Sequence, residues 1–267
     1  MVDVLIGFDS AWTDRTPGAI CAAAFDGKTA VSFEAPRLAH FDDAAGFIEQ
    51  VRSPDGVTIL ALDQPTVVKN PTSMRPVERV AATLVSWLGG GVQPANRGKV
   101  GMFCDAAPIW PFLDGINAAV DPEAARTATA GLHVMEVFPA LALPSLHTGF
   151  FGRHSAPKYN PARRKTYRLP DWQLVAQVAA DRFTGFGCDE AATWCAERAA
   201  CTKPKKADQD QLDAMLCLLV AMMWRFAARE ESMMLGTVAD GYMVFPASPE
   251  VRERISTAAD RLSVPCR

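Results

Sequence analysis

Long apolar runs are scarce in this sequence. The longest, Ala214 to Trp224, is closed off by Asp213 and Arg225 and falls short of the ~20 apolar residues that a bilayer-spanning helix needs. It is expected to be a buried helix, and no membrane partner is expected. A basic excess is missing as well. The chain has 27 Lys and Arg against 30 Asp and Glu, a net charge of −3. A protein that held nucleic acid mainly by overall charge would be basic, so a nucleic-acid partner has to meet local patches instead. The 7 cysteines contain no Cys-x-x-Cys pair. Cys188, Cys195 and Cys201, separated by six and five residues, do not follow a standard zinc spacing. His40, His133, His147 and His154 form no ligand pattern. Neither a phosphate-cradling glycine loop nor a Gly-x-Ser-x-Gly nucleophile elbow is present. Met1-Val2-Asp3-Val4 has no basic lead-in, so no signal peptide is expected, and reduced thiols in the cytoplasm are the simple expectation.

What is present suits one large α/β domain over residues 1–267, 49% hydrophobic and able to bury a substantial core. Val4 to Phe8 reads as a buried strand ending at Asp9, followed by a polar loop from Ser10 to Pro17. Gly18 to Phe25 and Thr29 to Phe33 read as two more strands about an Asp26-Gly27 turn. Asp42 is placed to cap a helix running to about Arg52. Val57 to Leu62, apolar but for Thr58, reads as a buried parallel strand ending at Asp63. Pro76 opens a helix that stops at Gly89, Gly90 and Gly91. His133 to Phe138 is a short strand, and Asp171 to Phe183 and Asp208 to Glu230 are helical. Asp240-Gly241 turns a terminal hairpin. The stretch from 89 to 130 has few signals and reads as an insertion or irregular connection. A three-stranded antiparallel meander that feeds parallel strands, all in one central mixed sheet flanked by helices, is the plan of the RNase H-like fold. Periodicity alone supports only an α/β domain with a mixed sheet.

Five carboxylates stand out on this plan. Asp9 and Asp63 directly follow apolar strands, and α/β proteins gather their functional groups at the carboxyl ends of parallel strands. Each is also an ordinary turn residue. Glu136 lies within an apolar strand, where an unpaired charge costs several kcal/mol unless it meets a cation or a metal. Asp210 and Asp213, at i and i+3, share one helix face. The positive start of that helix by itself favours acids there. Oxygen-only ligands of this kind favour Mg²⁺ or Mn²⁺ over zinc. Such metals make hydroxide from water and stabilise the leaving oxygen of a phosphodiester.

Gly7-Phe8-Asp9, Leu62-Asp63-Gln64-Pro65, Glu136-Val137-Phe138-Pro139, Gln209-Asp210-Gln211-Leu212-Asp213-Ala214 and Asp240-Gly241-Tyr242 occur in order along nearly the whole chain. Together they resemble the bacterial "domain of unknown function 429" proteins, predicted nucleases with an RNase H-like fold. The resemblance implies a metal-dependent phosphodiesterase site in which Asp9, Asp63, Asp210 and Asp213 occupy the superfamily's acidic positions. Glu136 fits the family's Glu-x-aromatic-Pro motif. Two positions depart from the pattern. Gln64 replaces a small hydrophobe, and Gln209 stands where histidine is frequent, which removes a proton carrier.

The expected metal ligands are therefore Asp9, Asp63, Glu136 and Asp213, with Asp210 as a further catalytic acid. A basic stretch with interleaved aromatics includes Lys158, Tyr159, Arg163, Arg164, Lys165 and Tyr167, and Lys203, Lys205 and Lys206 precede the acidic helix. Such residues can hold phosphates and stack bases, or form a solvated loop. Arg75 and Arg79, four apart, can grip a phosphate or pair with surface acids. The expected function is a Mg²⁺- or Mn²⁺-dependent nuclease, a phosphodiester hydrolase acting on DNA or RNA. A non-catalytic binding or scaffold protein is the alternative, and an actin-like phosphotransferase a weaker one.

Overall fold

The computed structural model describes residues 1–267, and its organising strand is the first. β1 (Val2–Asp9), β2 (Gly18–Asp26) and β3 (Thr29–Ala39) form the antiparallel meander. β4 (Val57–Leu62) pairs parallel with β1, and β5 (Gly131–Glu136) pairs parallel with β4. The sheet order is β3-β2-β1-β4-β5. Phe8 lies opposite Leu62, and Leu62 opposite Glu136, so the carboxyl ends of the three parallel strands lie abreast.

Helices cover both faces. α1 (Phe41–Val51), α2 (Pro76–Trp87), α3 (Ile109–Ile116) and α4 (Pro122–Thr127) precede β5. After it come α5 (Pro139–Leu146), α6 (Leu169–Gly185), α7 (Asp189–Ala199) and α8 (Lys206–Phe226). The chain ends with a hairpin of β6 (Ser232–Thr237) and β7 (Gly241–Pro246), then α9 (Pro249–Leu262). On one sheet face Leu5, Ile59, Ala61 and Met135 meet α6 and α8; on the other Ile6, Phe8, Leu62 and Val134 meet α1 and α3. A third apolar cluster joins α2, α9 and the terminal hairpin. No helix is long and apolar enough to cross a membrane.

α8 is buried almost all round from Leu212 to Trp224, as expected for a helix that is apolar on every side. It lies directly on β1 because residue 7 is glycine. A Cβ at Gly7 would run into the Ala214 carbonyl and the Leu218 amide. This backbone contact sets the depth at which the middle of α8 meets the end of β1.

Several boundaries differ from the sequence expectation. β3 runs on to Ala39 through two register irregularities, and it tolerates Pro36 because it is an edge strand whose outer N–H groups need no partner. The cap of α1 is His40, not Asp42; Asp43 accepts from the His40 amide at 3.1 Å, and Asp14 accepts from the Phe41 amide at 3.0 Å. β5 starts at Gly131 and ends at Glu136, because Phe138 becomes the N-cap of α5, with Pro139 in its first turn. α8 stops at Phe226 rather than Glu230. The 89–130 stretch contains α3 and α4 and contributes Phe103, Ile109 and Phe112 to the core. Neither α7 nor α9 was expected.

Candidate active site

Strand pleating decides which acids meet. Side chains alternate faces along a strand. Asp9 and Asp63 follow the parity of Leu5 and Ala61, so they point to the α8 side. Asp213, in the third turn of α8, meets them there. The three lie with Asp210 and Lys206 along a cleft of about 560 Å³, bordered also by Trp12, Asn160, Arg163 and Gln209.

The electrostatics are those of acids crowded out of water. Burial pushes Asp9 well above the usual carboxylate range, and the charges of Asp213, Asp63 and Asp210 push it further. Burial likewise raises Asp63, with Asp213 and Glu136 adding to the effect. Asp213 is pushed up to about 7, mainly by burial, against the opposing hydrogen bond from Tyr159 and the charge of Lys206. Lys206, ion-paired with Asp210 one turn away, lowers all three. One lysine is too little positive charge to hold the two buried carboxylates and the half-buried Asp63 ionised together.

Asp213 is engaged by the protein on both oxygens. The Tyr159 hydroxyl donates to Oδ1 at 2.7 Å, and Gln209 Nε2 donates to Oδ2. Gln209, which reads in the sequence as a lost histidine, is thus the residue that orients Asp213. Its own Oε1 is buried without a donor. The 10–17 loop is pinned over the cleft by two further contacts. Ser10 Oγ donates to Gln64 Oε1, and Trp12 Nε1 donates to the Asp63 carbonyl at 2.9 Å. The buried Gln64 therefore ties together the loops that follow β1 and β4. Neither the clamp on Asp213 nor this tie had a sequence signal, because each joins segments more than fifty residues apart or depends on a rotamer.

Glu136 and Arg75 do not take the roles expected of them. Glu136 has the parity of Phe8 and Leu62 and turns to the opposite face. Arg75, fully buried, donates there to both Glu136 oxygens at 2.5 and 2.9 Å, to Glu78 at 2.8 Å and to the Val67 carbonyl at 3.0 Å. Every arm of this guanidinium is taken within the protein, so it offers nothing to a phosphate. Glu136 borders the far wall of the cleft with both oxygens occupied, so it is a structural ion-pair partner rather than a free ligand. Arg163 does line the cleft. Lys158 lines the neighbouring cavity, with its Nζ on the Gly89 carbonyl at 2.5 Å. Arg79, Arg164 and Lys165 are exposed and line neither.

A family model described as "Protein of unknown function (DUF429)" matches residues 7–239. The chain belongs to this family. The DUF429 span holds all five acids and the Gly7 contact, and it stops just short of the Asp240-Gly241-Tyr242 turn. No curated protein and no solved structure matches the chain.

The donor set of Asp9, Asp63, Asp210 and Asp213, oxygen only and acidic, suits a hard divalent cation. No three His, Cys, Asp or Glu side chains are arranged to hold a metal ion as they stand, with Asp213 turned to Tyr159 and Gln209. The chemistry of the donors fits such a cation, and Asp213 has to exchange a hydrogen bond for it.

Proposed function

We propose that this DUF429 protein is a divalent-metal-dependent phosphodiester hydrolase of RNase H-like fold, a nuclease that uses Mg²⁺ or Mn²⁺. One observation carries the reading. Asp9 and Asp213, both buried, and the half-buried Asp63 are crowded against one another at the carboxyl ends of parallel strands and on a buried helix, with only Lys206 to offset their charge. A fold keeps such a costly arrangement where a cation compensates it. The sheet order β3-β2-β1-β4-β5 supports the RNase H-like part of the reading.

On this reading Asp9, Asp63 and Asp213 hold the cation and Asp210 lies at the rim. The cation would activate water and offset charge on the phosphate oxygens. Lys206 and Arg163 supply the positive groups beside the cleft that a phosphodiester anion requires. Tyr159 and Gln209 keep Asp213 on its rotamer, and the Trp12 loop restricts water around Asp9.

Calorimetric titration with Mn²⁺, together with cleavage assays on single-stranded, duplex, branched and RNA:DNA substrates, tests this. Wild type is expected to bind Mn²⁺ and cleave at least one substrate, and Asp9→Asn to do neither. Cleavage that survives Asp9→Asn defeats the proposal. The occupied oxygens of Asp213 favour a second reading, a non-catalytic binding protein. Its signature is a nucleic-acid complex indifferent to Mn²⁺.

A further inference from the structure

The cleft does not end at the acids. A second cavity of about 380 Å³ adjoins it, between the glycines at 89–91 and the 156–166 segment. The two share Asn160, Arg163, Gln209 and Asp213 as a common wall. Leu88, Leu143 and Phe138 line the smaller cavity as apolar residues, with Tyr159 and Thr166 beside them.

We propose, resting on the hydrolase reading above, that the substrate is the free end of a single strand, with its terminal nucleoside lodged in this smaller cavity. Three observations point to an end rather than a duplex. First, Asp9 and Asp213 are only 8% and 6% exposed, so the rigid backbone of a duplex cannot descend to them, whereas a terminal unit can. Second, cations are few. Arg163 and Lys206 are the cations of the main cleft, whereas proteins that grip duplexes neutralise many phosphates. Enclosure and stacking have to supply the binding instead, as in clefts of a few hundred Å³ that take small ligands. Third, the Gln209 Oε1 lies in the shared wall, buried and without a donor. A hydroxyl or amino group of a terminal nucleoside is the kind of donor it lacks.

The reaction is hydrolysis at the last phosphodiester. A water oxygen bonds to phosphorus, the bond from phosphorus to the oxygen of the penultimate sugar breaks, and that oxygen takes up the proton. A mononucleotide and a strand shorter by one unit result.

The test uses the full chain with Mn²⁺ and four probes. These are end-labelled linear single strands of DNA and of RNA, the same strands circularised, a duplex closed by hairpins at both ends, and bis(p-nitrophenyl) phosphate. Mononucleotide release from linear strands is expected, with circles and the closed duplex cut more slowly by roughly tenfold or more. Circles cut as fast as linear strands overturn this inference and leave the hydrolase reading standing. No Mn²⁺-dependent turnover of any probe overturns both. Ala140→Phe, which intrudes on the smaller cavity, gives an independent measure. The ratio of linear-strand to bis(p-nitrophenyl) phosphate turnover, insensitive to the folded fraction, is expected to fall roughly tenfold. An unchanged ratio overturns the placement of the terminal nucleoside.

Discussion

Replacing Asp213 by asparagine is expected to stabilise the metal-free protein while removing its response to metal. In the fold Asp213 ionises near 7, against an ordinary 3.8. A raised acid favours the protonated folded state. Its contribution to stability is therefore fully present below the unfolded value and lost as pH rises through about 7. At about 1.4 kcal/mol per tenfold change in the acid constant, the gap corresponds to about 4 kcal/mol withdrawn from the fold by pH 8. Asparagine is never charged. Its Oδ1 can keep the Tyr159 bond, and its Nδ2 faces Gln209, whose Oε1 has no donor. Allowing for relaxation of Asp9 and Asp63, a gain of about 2–4 kcal/mol is expected at pH 8, a rise in Tm on the order of 10 °C. The gain should fall by more than half by about pH 5 and vanish only below the unfolded value of 3.8, where Asp213 is protonated in the folded and the unfolded chain alike. Calorimetry in EDTA at both pH values reads this directly, and added Mn²⁺ should raise the Tm of wild type alone. A variant less stable than wild type at pH 8, or one whose advantage does not depend on pH, refutes the reasoning.

Other perturbations separate structural from functional roles. Arg75→Met strands Glu136 and Glu78 in the interior and should cost about 3–5 kcal/mol in urea unfolding. Adding Glu136→Gln should recover part of that loss, whereas strict additivity would show that the pair is not coupled. Gly7→Ala forces the α8 backbone off β1, so a loss of about 1–3 kcal/mol is expected together with a weakened Mn²⁺ titration. Tyr159→Phe removes a donor that holds Asp213 down. The acid limb of the pH–activity profile should therefore move to higher pH, and a profile left in place would show that Tyr159 does not govern that carboxylate.

The frame of the site was legible in the sequence and its wiring was not. β4 could be bounded at Val57 and Leu62 because a strand buried on both faces is nearly all apolar, here at every position but Thr58, and its following residue had to be Asp63. The same logic located Asp9 and the burial of α8. Glu136 defeated it because the face a residue takes depends on register. The register of β5 is set only after a crossover from residue 63 to residue 130 that contains three helices. A one-residue difference in parity moved Glu136 from the metal candidates to the Arg75 pair, across a separation of 61 residues. Gln209 misled in another way. Its helical position was clear, but what it touches depends on how its side chain turns toward Asp213.

The contact at Gly7 has a mechanical consequence. Gly7 is two residues from Asp9, and the Ala214 carbonyl it touches directly follows Asp213. The two backbones thus bear on each other within a residue or two of the acids, so this crossing acts as a fulcrum placed almost under the site. If a side chain is lost at the far end of α8, near Trp224, the helix swings about that point, and displacement grows with distance from it, so Asp213, one residue from the contact, stays nearly still. The carboxylate spacing is thereby insulated from drift in the core, and the chain can vary its distant packing while its acids stay in place.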